Sequence, residues 1–223
     1  MAAFILMVDM PATKMTVTEA AVGFFGKIPS RGDFARAGLP RAFTDPWDAW
    51  LSHAITGSRE LLGERWLPAW MEAPIWHFTL PAGQCGAAPV LGVWMPSIDA
   101  AGRHFPLTLA HIGTLPADPG SWLDAAETIG LDALQHDLAP DELVRRLATP
   151  LPPQPDAAEN RPPGALAPLG KLALWWTDGS PFVPATRLTL TALPDIATFA
   201  AMLHCATGQQ PEFPPRAGGV REK

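Results

Sequence analysis

The sequence predicts an α+β domain: a mainly antiparallel sheet of five to six strands with helices packed on it. Three observations carry that prediction. Apolar segments follow one another in the order β-α-β-β-β-α-α-β-β-α. The links between the strands at 75–80, 90–95 and 105–112 are too short for a parallel crossover, so these strands form an antiparallel meander. At 48% hydrophobic residues, a chain of 223 can bury one large core.

Ala20 to Phe25 reads as a buried strand ending at Gly26, after which Pro29 and Gly32 interrupt regular structure. Asp45 is the expected N-cap of the first helix, with Pro46 at its first position and Asp48 near the positive end of the dipole. Trp47, Trp50, Leu51, Ala54, Ile55, Leu61 and Leu62 share one helical face, and Gly63 is the natural stop. A second short helix over 64–71 carries Trp66, Leu67 and Trp70. Residues 75–80 alternate as a strand, 90–95 form a more apolar one, and Asp99 to Gly102 turns the chain into a third at 105–112. Asp118-Pro119 opens a helix reaching about Leu138, and Pro140-Asp141-Glu142 opens a shorter one that buries Leu143 and Leu147. Lys171 to Thr177 and Thr186 to Leu190 make a hairpin turned by Asp178-Gly179-Ser180-Pro181, and a last helix spans 194–204. Residues 1–19 are expected to be a weakly ordered leader. A single domain is expected over 20–208, with a proline-rich loop at 149–168, and a flexible tail over 209–223.

Charge and cysteine content narrow the function classes. The net charge is −6 and no run of Lys or Arg occurs, which disfavours nucleic-acid binding. Cys85 and Cys205 suit two buried thiols in a reducing compartment, and no His/Cys spacing suits a metal. No apolar run approaches membrane length. The run Phe4 to Val8 has no basic residues ahead of it and fails as a secretory signal. The expectation is a cytoplasmic protein without cofactor, metal or membrane insertion.

Local motifs for catalysis do not complete themselves. Gly26-Lys27 lacks the upstream glycine and following hydroxyl of a phosphate loop, so Lys27 is expected to be a solvated lysine on a Gly-rich turn. Arg31 and Asp33 are expected to pair with each other or with polar groups at the sheet end. Ser97, Asp99 and His104 could be drawn as a triad, but they sit in one hairpin without a nucleophile elbow, and the turn reading is better. His77 and His111 read as core or edge histidines. Trp47, Trp50, Trp66 and Trp70 read as core anchors, with one or two of them lining a partner-binding groove as the alternative.

Two segments taken together are more specific. One is Gly23-Phe-Phe-Gly-Lys-Ile-Pro-Ser-Arg-Gly-Asp-Phe34, followed by Gly38-Leu-Pro-Arg41 and Pro46-Trp-Asp-Ala-Trp-Leu51. The other is Gly92-Val-Trp-Met-Pro-Ser-Ile-Asp99, then Gly102-Arg103 and Phe105-Pro-Leu-Thr108. This combination resembles the TagF family, also called ImpM, of proteins associated with bacterial type VI secretion. The likeness is clearest over about residues 20–112. It implies a longin- or profilin-like α+β fold and a cytoplasmic accessory protein that acts after translation. It also implies repression by protein binding, with an FHA-domain scaffold as the kind of partner. The resemblance brings no catalytic residues. Lys27, Arg31, Asp33, Asp48, Ser97, Asp99 and Arg103 are the matched polar positions.

The leading expectation is a non-enzymatic regulator that binds a secretion-system protein. Lys27, Ser30, Arg31 and Asp33 would form its surface together with Asp99 and Arg103, provided the two loops meet. The alternatives are a small hydrolase using Ser97 or Cys85, and a dimeric scaffold with exposed tryptophan faces.

Overall fold

In the computed structural model, which describes residues 20–29, 31–136, 138–149 and 171–205, side-chain alternation along the strands divides the core in two. The strands are β1 (Ala21–Gly26), β2 (Ala35–Ala37), β3 (Trp76–Leu80), β4 (Val90–Met95), β5 (Leu107–Ile112), β6 (Ala173–Ser180) and β7 (Val183–Leu190). They form one antiparallel sheet in the order β2-β1-β5-β4-β3-β6-β7. Helices α1 (Arg41–Leu62), α2 (Trp66–Met71) and α5 (Ile196–Leu203) cover one face; α3 (Pro119–Gln135) and α4 (Pro140–Ala148) cover the other. With both faces covered, every residue of β3, β4 and β5 is buried.

The first face is built on aromatics. Trp47 is fully buried, and its ring stacks on Phe43 and Phe78 at 5.3 and 5.0 Å. Such a side chain stabilises the fold by roughly 1.5–3 kcal/mol through burial alone. Its Nε1 donates to Thr108 Oγ1 at 2.9 Å, so the same residue also ties α1 to β5. Trp70 and Trp76 do likewise, donating to the carbonyls of Ser97 (3.2 Å) and Met202 (3.1 Å). All nine tryptophans are buried or half-buried, so the expected exposed tryptophan face of a dimeric scaffold does not form; Trp70 still lines a shallow surface pocket with Met71, Pro96 and Ile98. The second face is mostly aliphatic, with His77 and His111 at its edge. His77 Nε2 lies 2.8 Å from Glu127 and its ring stacks on Trp176, as a core histidine should.

Four features differ from expectation. The sheet has seven strands, because Ala35–Ala37 adds an edge strand too short to show an alternation. Helix α1 begins at Arg41 with Pro40 as its cap, so Asp45 is not the N-cap and Pro46 lies inside the helix. Buried Phe43 and Thr44 extend the packed face back by a turn, which outweighs the hydrogen bond that Pro46 cannot make. The hairpin turn is Pro181-Phe182, because Asp178-Gly179-Ser180 stays in the ladder. Leu61 and Leu67 are 57% and 50% exposed, since neither faces the sheet. Residues 1–19, Ser30, most of the proline-rich loop and the tail lie outside the described residues.

Candidate partner-binding site

Strand β1 ends at Gly26, whose φ of 146° is open to glycine, and a Cβ there would lie 2.0 Å from the Pro106 carbonyl oxygen. That close approach brings the following loop against the chain entering β5. Ile28 is fully buried and pins the loop to the second face. Lys27 is buried as well, at 5% exposure, which overturns the expectation of a solvated lysine. The physical reason lies 72 residues away: Lys27 Nζ donates to Asp99 Oδ2 in a buried ion pair.

Asp99 is the centre of the arrangement. Its side chain is sealed from solvent. Oδ1 accepts from the backbone N–H groups of Ala101 (2.9 Å) and Arg103 (2.8 Å), and Oδ2 also accepts from Arg103 Nε at 2.7 Å. Burial by itself would push this carboxyl up. The Lys27 ammonium, then the Arg103 backbone, the Arg103 guanidinium and the Ala101 backbone outweigh it and hold the group well below the usual carboxylate range. Gly102 takes the left-handed turn position at φ 75°. Arg103 does not simply project from the turn; it folds back over Asp99 and donates to the Gly32 carbonyl.

The two loops therefore meet. Besides the Lys27–Asp99 and Arg103–Gly32 links, the Ala100 N–H donates to the Arg31 carbonyl at 2.9 Å. Ser97 Oγ donates to the Lys27 carbonyl at 2.8 Å. Phe34 closes the site from above: its ring lies 4.9 Å from Lys27 Nζ, stacks on Phe25 and meets Phe105 edge-on. Phe34 still leaves 46% of its surface to solvent. Sequence reasoning missed it as a site residue, although three aromatics around one lysine were there to be noticed.

Arg31 and Asp33 do not pair with each other. Asp33 is fully exposed and lies 3.9 Å from Arg103, too far for a hydrogen bond. Arg31 enters no ion pair among the described residues. Asp48 sits apart on α1, half-buried, its pKa raised by burial and by Asp45. Ser30 falls outside the described residues.

The drawn triad does not form. Ser97 Oγ is buried and spends its proton on backbone carbonyls, while the ring of His104 packs edge-on against Trp66 and Trp70. Among the described residues, no hydrogen bond joins the side chains of Ser97, Asp99 and His104. Cys85 is buried, its Sγ faces the Phe43 carbonyl at 3.6 Å, and burial pushes its pKa up to about 12. Burial thus disfavours the thiolate, which is the nucleophilic form. No group of three or more metal-ligating side chains occurs among the described residues.

The family model of the TagF N-terminal domain, described as type VI secretion system-associated, matches residues 23–149, more than half of the chain. The chain belongs to the TagF family. The matched span contains both loops of the site and both helices of the second face. The chain is also similar to PA0076 from Pseudomonas aeruginosa PAO1, whose crystal structure superposes with a TM-score of 0.70 at 33% identity. That match covers 87% of this TagF-family chain and 99% of the other, so the shared fold extends beyond the family model. No curated protein matches. Among the described residues, no helix is long and apolar enough to cross a membrane.

Proposed function

We propose that this TagF-family chain is a regulator, and specifically a repressor, of a type VI secretion system. It acts after translation by binding a secretion-system protein, and it is not an enzyme. The docking surface is the joined pair of loops, 27–34 and 99–103. One observation carries this reading: a buried and fully partnered ionic node stands directly beneath an exposed rim of Asp33, Phe34 and Arg103. The node fixes the backbone of both loops, so the rim meets a partner with little ordering cost. An aromatic ring beside an arginine is the composition that carries binding energy at protein interfaces. The burial of Ser97 and Cys85, and the raised pKa of the Cys85 thiol, weigh against the hydrolase alternative. An FHA-domain scaffold of the secretion machine is the partner that the family suggests.

The test is a pull-down with the purified FHA-domain protein of the same secretion system, using wild type and Asp33→Arg. Asp33 is fully exposed, so the substitution leaves the fold intact. Retention by the wild type and loss in the variant supports both the binding role and the surface. Equal retention moves the surface elsewhere. No retention by either form would remove the proposed partner.

A further inference from the structure

On the outer side of the same loop, an open cavity of about 440 Å³ is walled by residues 31–36 and by Pro140 at the start of α4. Two of these wall residues are arginines. Neither Arg31 nor Arg36 enters an ion pair among the described residues. Arg31 is half-buried, and its Nε is sealed from solvent without a hydrogen-bond acceptor. A guanidinium taken partly out of water without an acceptor or counter-charge is costly, and an incoming anion would relieve that cost. Arg36 stands exposed on the edge strand β2.

We propose that this cavity binds an oxyanion, a carboxylate or phosphoryl group, held between the guanidinium groups of Arg31 and Arg36. A planar fork of N–H donors matches both anions. Asp33 lines the cavity too, but its carboxylate is fully exposed to solvent and pairs with neither arginine of the cavity. The cavity is large enough to take an anion carried on a bigger group, such as an acidic or phosphorylated side chain of a protein. That source rests on the docking role proposed above; the anion site itself does not.

The experiment is an NMR titration of the full chain, following arginine Nε–H and backbone amide signals. Inorganic phosphate and acetate are added separately, with chloride at matched ionic strength as the control. Phosphate is expected to give a saturable shift of Arg31 Nε–H and of amides 31–36, and Arg36→Gln should weaken it roughly tenfold or more. Saturation by acetate as well identifies a carboxylate site; saturation by phosphate alone identifies a phosphoryl site. A drift equal to that in chloride, or binding that Arg36→Gln leaves unchanged, overturns the proposal. Arg36 is exposed, so its variant stays folded. No partner is needed, so a failed pull-down leaves this result readable.

Discussion

Two charged clusters in this chain both pair carboxylates with arginine and differ in solvent access. The Lys27–Asp99–Arg103 node is buried at its centre and joins positions 72 residues apart. The cluster of Asp132, Glu142, Arg145 and Arg146 lies on the outside of α3 and α4, with every member at least 31% exposed. Both contain short, well-aligned hydrogen bonds: Arg103 Nε to Asp99 at 2.7 Å, Arg146 Nη1 to Asp132 at 2.8 Å. Bond length therefore does not separate them; the alternative open to each group when its partner is removed does. A stranded buried charge has nothing to turn to, whereas a stranded surface charge turns to water. The node is thus a structural lock beneath the exposed rim of Asp33, Phe34 and Arg103, and the outer cluster is an ornament on helices held by Leu143, Leu147 and the Trp122–Leu147 hydrogen bond.

The sharpest way to break this contrast is to remove Asp99. Asp99→Ala strands the Lys27 ammonium in the core and strips the acceptor from two turn N–H groups. It is expected to have the largest effect of any single change in the site, exceeding Lys27→Met. Lys27→Met leaves Asp99 with Arg103 and both backbone donors, and is expected to cost about 3 kcal/mol, the lower end for a broken buried pair. Urea unfolding measures both. If either variant melted within error of wild type, the node would not be a lock.

Acid titration sharpens the contrast further. Burial holds His104 and His111 below the usual histidine pKa; in His104 the Arg59 charge adds to this and Asp99 opposes it. Their unfolded forms bind protons first, so stability falls as pH drops below about 6.5. Asp99 has a depressed folded pKa, so its contribution is complete above about pH 4 and is lost as pH falls below that. Glu142 is also depressed, by the hydrogen bonds of Arg146 and then Arg145. Being at the surface, its share should shrink in high salt, while that of Asp99 should persist. The expected result is a salt-resistant loss of stability below pH 4 that is smaller in Asp99→Asn, where only the other depressed carboxylates such as Asp195 still contribute. A loss that vanished in 1 M salt would place both clusters in one class.

The contrast also marks how far the sequence could be read. Strand β4 was legible to the residue because an unbroken apolar run lies between Pro89 and Pro96. The start of α3 was legible because Asp118 caps it, accepting from the Gly120 and Ser121 N–H groups. These signals are local. The start of α1 was misread because Pro46 gives a strong local signal that the burial of Phe43 overrides. Lys27 was misread for the same kind of reason: its neighbours suggest an exposed turn, and the carboxylate that pulls it inward comes from the far side of β4. Lys27 and Asp99 could both be singled out as polar residues in one shared pattern. That they form one buried pair is a property of the β1–β5 and β4–β5 pairings, which no window along the chain contains.

The smallest effect expected is that of Glu142→Gln. In the present structure Glu142 accepts from Arg145 and Arg146, three and four residues on, an arrangement that any solvated helix face can form. Arg146 keeps Asp132 as a second partner, so the link between α3 and α4 survives the change. The expected outcome is an unchanged urea midpoint at 150 mM salt, with a slight fall only at low ionic strength. The same change should leave partner capture intact, because Glu142 is not among the residues lining the rim or the cavity. A midpoint shift as large as that of Lys27→Met would mean that the α3–α4 cluster, not the packing of Leu143 and Leu147, holds the second face together, and the division between lock and ornament would fail.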